Sequence, residues 1–171
     1  MTEQQKEFVQ QVYNSQGILF RICSVYARDA ESKNDLRQEI LLQLWRSYPS
    51  FRGESTFSTW MYRVALNTAL MDFRKEKREP QSLHIDNIPM NEIPHEEHED
   101  DEGVRLLYSC IQELPALDRA IVLLHLEEKT HDEIAHILGV NPGNVSVRLL
   151  RLKVRLRRSL EARGIRKETL Q

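Results

Sequence analysis

Along most of this chain the hydrophobic and polar positions recur with the period of a helix. In "NDLRQEILLQLWRSY" the apolar residues fall at 36, 40, 41, 44, 45 and 48, one stripe of an amphipathic helix. Asn34 or Asp35 can cap its start, which predicts a helix over 35–48. Upstream, "KEFVQQVYNSQGILFRICSVYAR" is also helical in pattern and offers Phe8, Val12, Ile18, Leu19, Ile22 and Tyr26 to a core. Downstream, "TFSTWMYRVALNTALMDFRKEKRE" predicts a long helix from Thr56, entered through the polar loop "FRGES". On that helix Phe57, Met61, Val64 and Ala65 face one core direction, and Tyr62, Leu66, Ala69 and Phe73 cover another flank. The C-terminal part predicts helices over 104–114 and 115–127, the second opened by Pro115, then a short helix, a turn and a long helix. The strict alternation of strands is not sustained anywhere, and the expected fold class is all-α.

The helical period stops between residues 80 and 103. "PQSLHIDNIPMNEIPHEEHEDDEG" contains three prolines and a cluster of like charges, and is expected to be largely irregular. It divides the chain into two small helical domains, 1–79 and 104–171, joined by a flexible acidic linker, 80–103. Charge follows the same division. The formal net charge of −2 averages blocks of 12 Lys/Arg against 10 Asp/Glu, none against 8, and 12 against 8. Fully extended, the linker reaches about 80 Å; as a flexible coil it spans roughly 27 Å. Domains joined this way can occupy well-separated sites.

Composition narrows the class further. With 40% hydrophobic and 29% charged residues the chain reads as an ordinary soluble protein. No apolar run approaches the roughly 20 residues of a membrane span, and the polar "MTEQQKEFVQQ" lacks a signal-peptide apolar region. Cys23 and Cys110 lie far apart without metal-like spacing and read as buried thiols of a cytoplasmic protein. His95 and His98 in "HEEHED" can weakly hold a divalent cation, although a disordered acidic run needs no metal; His125, His131 and His136 share no third ligand face. No nucleophile–base constellation, P-loop or Gly-rich phosphate fingerprint occurs. The expectation is a protein without metal, cofactor or enzymatic activity.

The residues after 130 carry the first positive signal. In "HDEIAHILGVNPGNVSVRLLRLKVRLRR" a short helix presents Ile134, Ala135 and Leu138 to a core, and Gly139 suits the left-handed residue that ends it. Val140 is the buried residue of the turn, Asn141 caps the next helix, and Pro142 takes its first position, where no N–H is needed. That order is a helix-turn-helix. Asn144, Arg148, Arg151, Arg155 and Arg158 then fall within roughly a quarter turn, beside an apolar face of Val145, Leu149, Leu152, Leu156 and Leu160. No acid occurs from 141 to 160, so nothing on the helix itself neutralises the stripe. Arginine's planar fork suits phosphate and guanine. Asn144, Ser146, Val147 and Arg148 are expected to approach base edges, and Arg151, Arg155 and Arg158 phosphates or another protein surface.

The N-terminal block points to unpaired nucleic acid. On the helix from Thr56, Trp60, Arg63, Asn67, Arg74 and Arg78 lie within about 60° of one another. An indole, an amide and guanidiniums on one strip can stack a base, bond its edge and hold the adjacent backbone. On angles alone, Trp60 can equally be ordinary core and the arginines merely solvated.

"DLRQEILLQLWRSYPSFRGESTFSTWMYRVALNTALMDFRKEKR" closely resembles the second region of bacterial sigma factors of the extracytoplasmic-function (ECF) group, whose pattern is D-x-x-Q-E-x-x-x-x-x-W followed by F-x-G-x-S-x-F-x-T-W-x-x-x-x-A-x-N. The match runs through Asp35, Gln38, Glu39 and Trp45, then Phe51, Gly53, Ser55, Phe57, Thr59, Trp60, Ala65 and Asn67. "LPALDRAIVLLHLEEKTHDEIAHILGVNPGNVSVRL" resembles the family's fourth region through Leu114-Pro115, Glu133-Ile134-Ala135 and Leu138-Gly139-Val140. The resemblance implies a transcription initiation factor that binds core RNA polymerase, directs it to promoters and assists melting. It implies that Asp35, Gln38, Glu39, Gln43 and Arg46 dock on the polymerase, with Trp45 packing. Phe51, Arg52, Gly53, Glu54, Ser55, Thr56 and Asn67 would form the pocket for a base flipped from the minus-ten element's non-template strand. Trp60, Arg63, Arg74, Lys75 and Arg78 would support or track that strand. Asn141, Gly143, Asn144, Ser146, Val147, Arg148 and Arg151 would meet duplex at the minus-thirty-five element, and the linker would thread toward the RNA path. An anti-sigma factor is implied as a further partner. Where the family often has S-x-G-T-V-K-S-R, this chain has "NPGNVSVR", so promoter sequence does not carry over. The alternative is a two-domain helix-turn-helix regulator that binds duplex without joining polymerase.

Overall fold

Thr2 opens the first helix with a capping box: its hydroxyl accepts from the Gln5 amide at 3.2 Å, and the Gln5 side chain accepts from the Thr2 amide at 2.7 Å. In the computed structural model, which describes residues 1–75 and 102–165, everything regular is helical. The described residues fall into two compact units, one in each of those stretches. The expected linker lies outside them, apart from Glu102 and Gly103, which already belong to a helix. His95, His98 and Arg78 are likewise outside the described residues.

The first unit holds α1 (Glu3–Asn14), α2 (Gln16–Tyr26), α3 (Ala30–Ser47), a 3-10 turn (Tyr48–Ser50) and α4 (Phe57–Lys75). The helical stretch expected from Lys6 to Arg28 is broken at Ser15, whose φ of −115° and ψ of 13° leave the helical region. Asn14, Ser15 and Gly17 explain the break, since each favours turns or costs backbone entropy in a helix. Helix α3 starts at Ala30, five residues before the expected start. Asp29, not Asn34 or Asp35, is the cap: its carboxylate accepts from the Ser32 amide at 2.8 Å. The apolar stripe begins only at Leu36, so periodicity does not register the first turn and a half. Leu36, Ile40, Leu41, Leu44 and Tyr48 are buried as expected; Leu42, off that stripe, is buried too, because α3 packs against both α2 and α4. On α4, Met61, Tyr62, Ala65, Leu66 and Ala69 are buried, while Phe57, Val64 and Phe73 are half-buried.

The second unit holds α5 (Glu102–Gln112), α6 (Ala116–Leu126), α7 (His131–Leu138) and α8 (Pro142–Ala162), with α8 packed against the other three. Its expected apolar face, Val145, Leu149, Leu152, Leu156 and Leu160, is buried throughout. Each such side chain contributes about 1.5–3 kcal/mol by leaving water. Arg119 is buried as well, its Nε donating to the Leu114 carbonyl at 2.8 Å, which ties α6 to the loop before it. The Arg163 guanidinium donates to Cys110 Sγ at 2.9 Å and pairs with Glu113, fixing the end of α8 on α5. On α7 the core residues are Ile134, Ala135 and Ile137; Leu138, expected inside, is half-buried, as is Val140 of the turn. In the last turn of α7 it is Ile137 rather than Leu138 that turns into the core.

Candidate nucleic-acid interface

In the second unit the turn is built as its sequence demands. Thr130 and Glu133 form a capping box at the start of α7: the Thr130 hydroxyl accepts from the Glu133 amide at 3.1 Å, and Glu133 Oε2 accepts from the Thr130 amide at 2.7 Å. The Thr130 amide first, then the Thr130 hydroxyl, holds the Glu133 carboxyl below its ordinary range. Gly139 takes φ 67° and ψ 36°, the left-handed conformation that a Cβ would strain, and the Val140 amide turns back to the Ala135 carbonyl at 3.0 Å. Asn141 then caps α8, its Oδ1 accepting from the Gly143 amide at 2.8 Å. A Cβ at Gly143 would lie 3.1 Å from that same oxygen, so position 143 is kept small by the cap.

Beyond the cap, Asn144, Ser146, Val147, Arg148, Arg151, Arg155 and Arg158 are all exposed, on the side of α8 away from its buried leucines. Two features were not anticipated. Val147, Leu150 and Val154 form an exposed apolar line beside the arginines, with Leu150 70% exposed. Their spacing of three and four residues was a legible signal, masked by the stronger leucine stripe. The other is an acid: Arg148 Nη1 donates to Asp118 Oδ1 of α6 at 2.8 Å. The helix itself carries no neutralising acid, as expected; the acid that pairs with Arg148 comes from α6.

In the first unit an aromatic cluster organises the entry to α4. Phe8 meets Trp45 and Tyr48 edge-on, with centroids 5.1 Å apart in both pairs. Tyr48 in turn stacks on Phe51 at 6.4 Å and lies 6.2 Å from Trp60. Phe51 closes on Trp60 at 5.1 Å and Phe57 on Trp60 at 5.3 Å. Pairs of this kind contribute about 0.5–1.5 kcal/mol each beyond burial. The two readings of Trp60 therefore merge: its ring packs in the cluster yet stays half-buried, with part of its surface open. Phe51 anchors the loop, while Arg52, Gly53, Glu54, Ser55 and Thr56 are exposed, with Gly53 at φ 71°. Thr56 lies just outside α4 rather than in it, its hydroxyl accepting from the Thr59 amide at 3.2 Å. Further along α4, Arg63 is half-buried, Asn67 and Arg74 are exposed, and Lys75 ends the helix.

On α3, Asp35, Gln38 and Arg46 are exposed and Glu39 and Gln43 half-buried. Gln43 Nε2 donates to Glu39 Oε1 at 2.9 Å, the i, i+4 contact expected of neighbours on a helix face. Trp45 packs half-buried on Phe8. Among the described residues no group of three His, Cys, Asp or Glu is arranged to hold a metal, and no helix is long and apolar enough to cross a membrane.

A helical unit with an aromatic-anchored polar loop, followed by a helix-turn-helix unit with a basic outer face, defines a promoter-recognition protein of the sigma-70 class. Family models bear this out: Sigma-70 region 2 matches residues 12–79, and Sigma-70, region 4 matches residues 105–156. The chain is 34% identical over 137 residues to the ECF RNA polymerase sigma-E factor of Haemophilus influenzae, covering 71% of this chain and 72% of that protein. To the sigma-E factor of Escherichia coli K12 it is 31% identical over 147 residues, covering 78% and 77%. It belongs to the ECF sigma factors, transcription initiation factors that join RNA polymerase and direct it to promoters. The fold is shared with solved structures. The sigma factor RpoE in complex with the anti-sigma factor NepR from Bartonella quintana superposes with a TM-score of 0.70 at 20% identity, covering 91% of this chain and 98% of that one. CnrH in complex with the cytosolic domain of CnrY gives 0.63 at 18%, covering 92% and 90%. The alternative of a regulator that never joins polymerase falls with the family membership.

Proposed function

We propose that the two units, as domains 1–79 and 104–171 on a linker over 80–103, grip promoter DNA in two different states. The first unit holds the melted minus-ten strand. The exposed loop Phe51–Thr56 and Asn67 receive a flipped base, whose extraction costs a few kcal/mol. Trp60 and Arg63 support the strand, and Arg74, Lys75 and Arg78 track its backbone. Stacking and edge contacts of this kind are each worth about 1–3 kcal/mol, enough to offset the flip. The second unit reads the duplex at the minus-thirty-five element through Asn144, Ser146, Val147, Arg148 and Arg151, with Asn141 and Gly143 shaping the helix start. Asp35, Gln38, Glu39, Gln43 and Arg46 form the polymerase-docking face of α3. The protein works in the cytoplasm and catalyses no reaction of its own.

The observation that carries this proposal is the aromatic cluster, which joins Phe51 and Trp60 at the two ends of a loop whose residues 52–56 are all exposed. An aromatic cluster joined to an exposed polar loop suits the capture of a single base. Both solved neighbours are complexes, one with an anti-sigma factor and one with the cytosolic domain of CnrY. We propose a comparable partner here, covering the polymerase-binding face until released.

Separate binding measurements test the division. With the full chain on core polymerase, Asn67→Ala is expected to weaken binding of a single-stranded minus-ten oligonucleotide about tenfold and leave upstream duplex binding unchanged. Arg151→Ala is expected to do the reverse. Equal losses of both activities in both variants would refute two separate grips.

A further inference from the structure

Arg148, Arg151, Arg155 and Arg158 line the outer face of α8, and the first of them is tied. Arg148 donates from Nη1 to Asp118 Oδ1 at 2.8 Å, an ion pair between helices thirty residues apart in sequence. The Asp118 side chain is 16% exposed and that of Arg148 46%. Among the described residues, Arg151, Arg155 and Arg158 make no such pair. We propose that Asp118 is a positioning residue that sets the sequence preference of the duplex-reading helix by orienting Arg148. The proposal rests on α8 being that helix.

An ion pair this open adds little to stability; its consequence is geometric. An unpaired arginine on a helix facing DNA samples many rotamers, and the nearest phosphate captures it without regard to sequence. Asp118 removes both freedoms. It fixes one guanidinium nitrogen and leaves the other N–H donors of the fork unused, aimed from a defined position. Its negative charge also cancels the attraction that would draw Arg148 to the backbone and itself repels phosphate. What remains favourable for Arg148 is a base edge with acceptors, such as guanine O6 and N7. Arg155 and Arg158, both untied, supply non-specific affinity, and the tied arginine discriminates. Asp118 is the only acid on α6, at its first turn, where the helix N-terminus favours a carboxylate.

The test uses the full chain bound to core RNA polymerase and a duplex pool randomised across the upstream element. Enrichment by the wild-type chain defines the preferred base pairs, and Arg148→Ala identifies those that depend on Arg148. Asp118→Ala is expected to lose about tenfold of the preference at those same positions and keep the others. On a duplex of unrelated sequence, Asp118→Ala is expected to bind more tightly, with the logarithmic salt slope steeper by about one unit as Arg148 gains a phosphate. Asp118→Asn, which keeps the acceptor oxygen, is expected to fall between. If Asp118 only braces α6 against α8, Asp118→Ala lowers preference at all positions alike with an unchanged slope, and the proposal is overturned. It is also overturned if preference at the Arg148 positions survives. A wild-type chain that enriches nothing would instead remove the duplex-reading assignment of α8, and Asp118's role with it.

Discussion

Single atoms decide how the turn before α8 is held. Asn141 Oδ1 accepts from the Gly143 amide, and the missing Cβ of Gly143 leaves room for that bond. Asn141→Ala is expected to cost about 1 kcal/mol of stability, read by chemical denaturation. The Thr130–Glu133 box adds a pH signature. Its bonds lower the Glu133 carboxyl, so its contribution is complete above the ordinary glutamate range and is lost as pH falls through the lowered native value. The stability difference between the wild-type chain and Glu133→Gln is therefore expected to shrink below about pH 4, measured by denaturation across pH. Burial pushes the Cys23 thiol up to about 12, against the weaker pull of Arg37 and Lys33. At pH 8 a thiol-specific reagent is expected to leave Cys23 unmodified in the folded chain and label it on unfolding; rapid labelling of the native protein would contradict its burial. Gly139, Asn141 and Pro142 were legible in the sequence because their roles are local. The Asp118–Arg148 pair was not, since no spacing rule links residues thirty apart on different helices.

At the scale of the element, the apolar stripe is a reliable guide to which face is buried and a poor one to where a helix begins. All five residues of the α8 stripe are buried. The start of α3 was misplaced because Ala30–Asp35 contains no large apolar residue, and only the Asp29–Ser32 capping box marks it. The period also runs straight through Ser15, where backbone preference rather than hydrophobicity ends α1. The aromatic cluster shows what periodicity omits: Phe8, Trp45, Tyr48, Phe51, Phe57 and Trp60 come from three helices, a 3-10 turn and a loop, and packing brings them together. One pair of substitutions separates the two apolar lines of α8. Leu149→Ala is expected to cost about 2–5 kcal/mol through the cavity it leaves. Leu150→Ala, at an exposed site, is expected to change stability by no more than about 0.5 kcal/mol. Denaturant midpoints of the two variants provide the comparison.

For the molecule as a whole, charge and architecture describe one device. A net charge of −2 conceals basic character in both helical blocks, and each block exposes cations in a different setting. The fold class and the family were legible because the motifs are long and ordered; the pairing of the α8 arginines and the depth of each aromatic needed the folded chain. The central claim is that this chain makes RNA polymerase open promoter DNA. The direct measurement is permanganate reactivity of thymines across a promoter recovered by the chain–polymerase complex, with core polymerase alone, the chain alone, and both together. Reactive thymines near the minus-ten element are expected only when both are present, and are expected to diminish with Asn67→Ala. Duplex binding by the chain with no reactive thymine in the presence of polymerase would contradict the account.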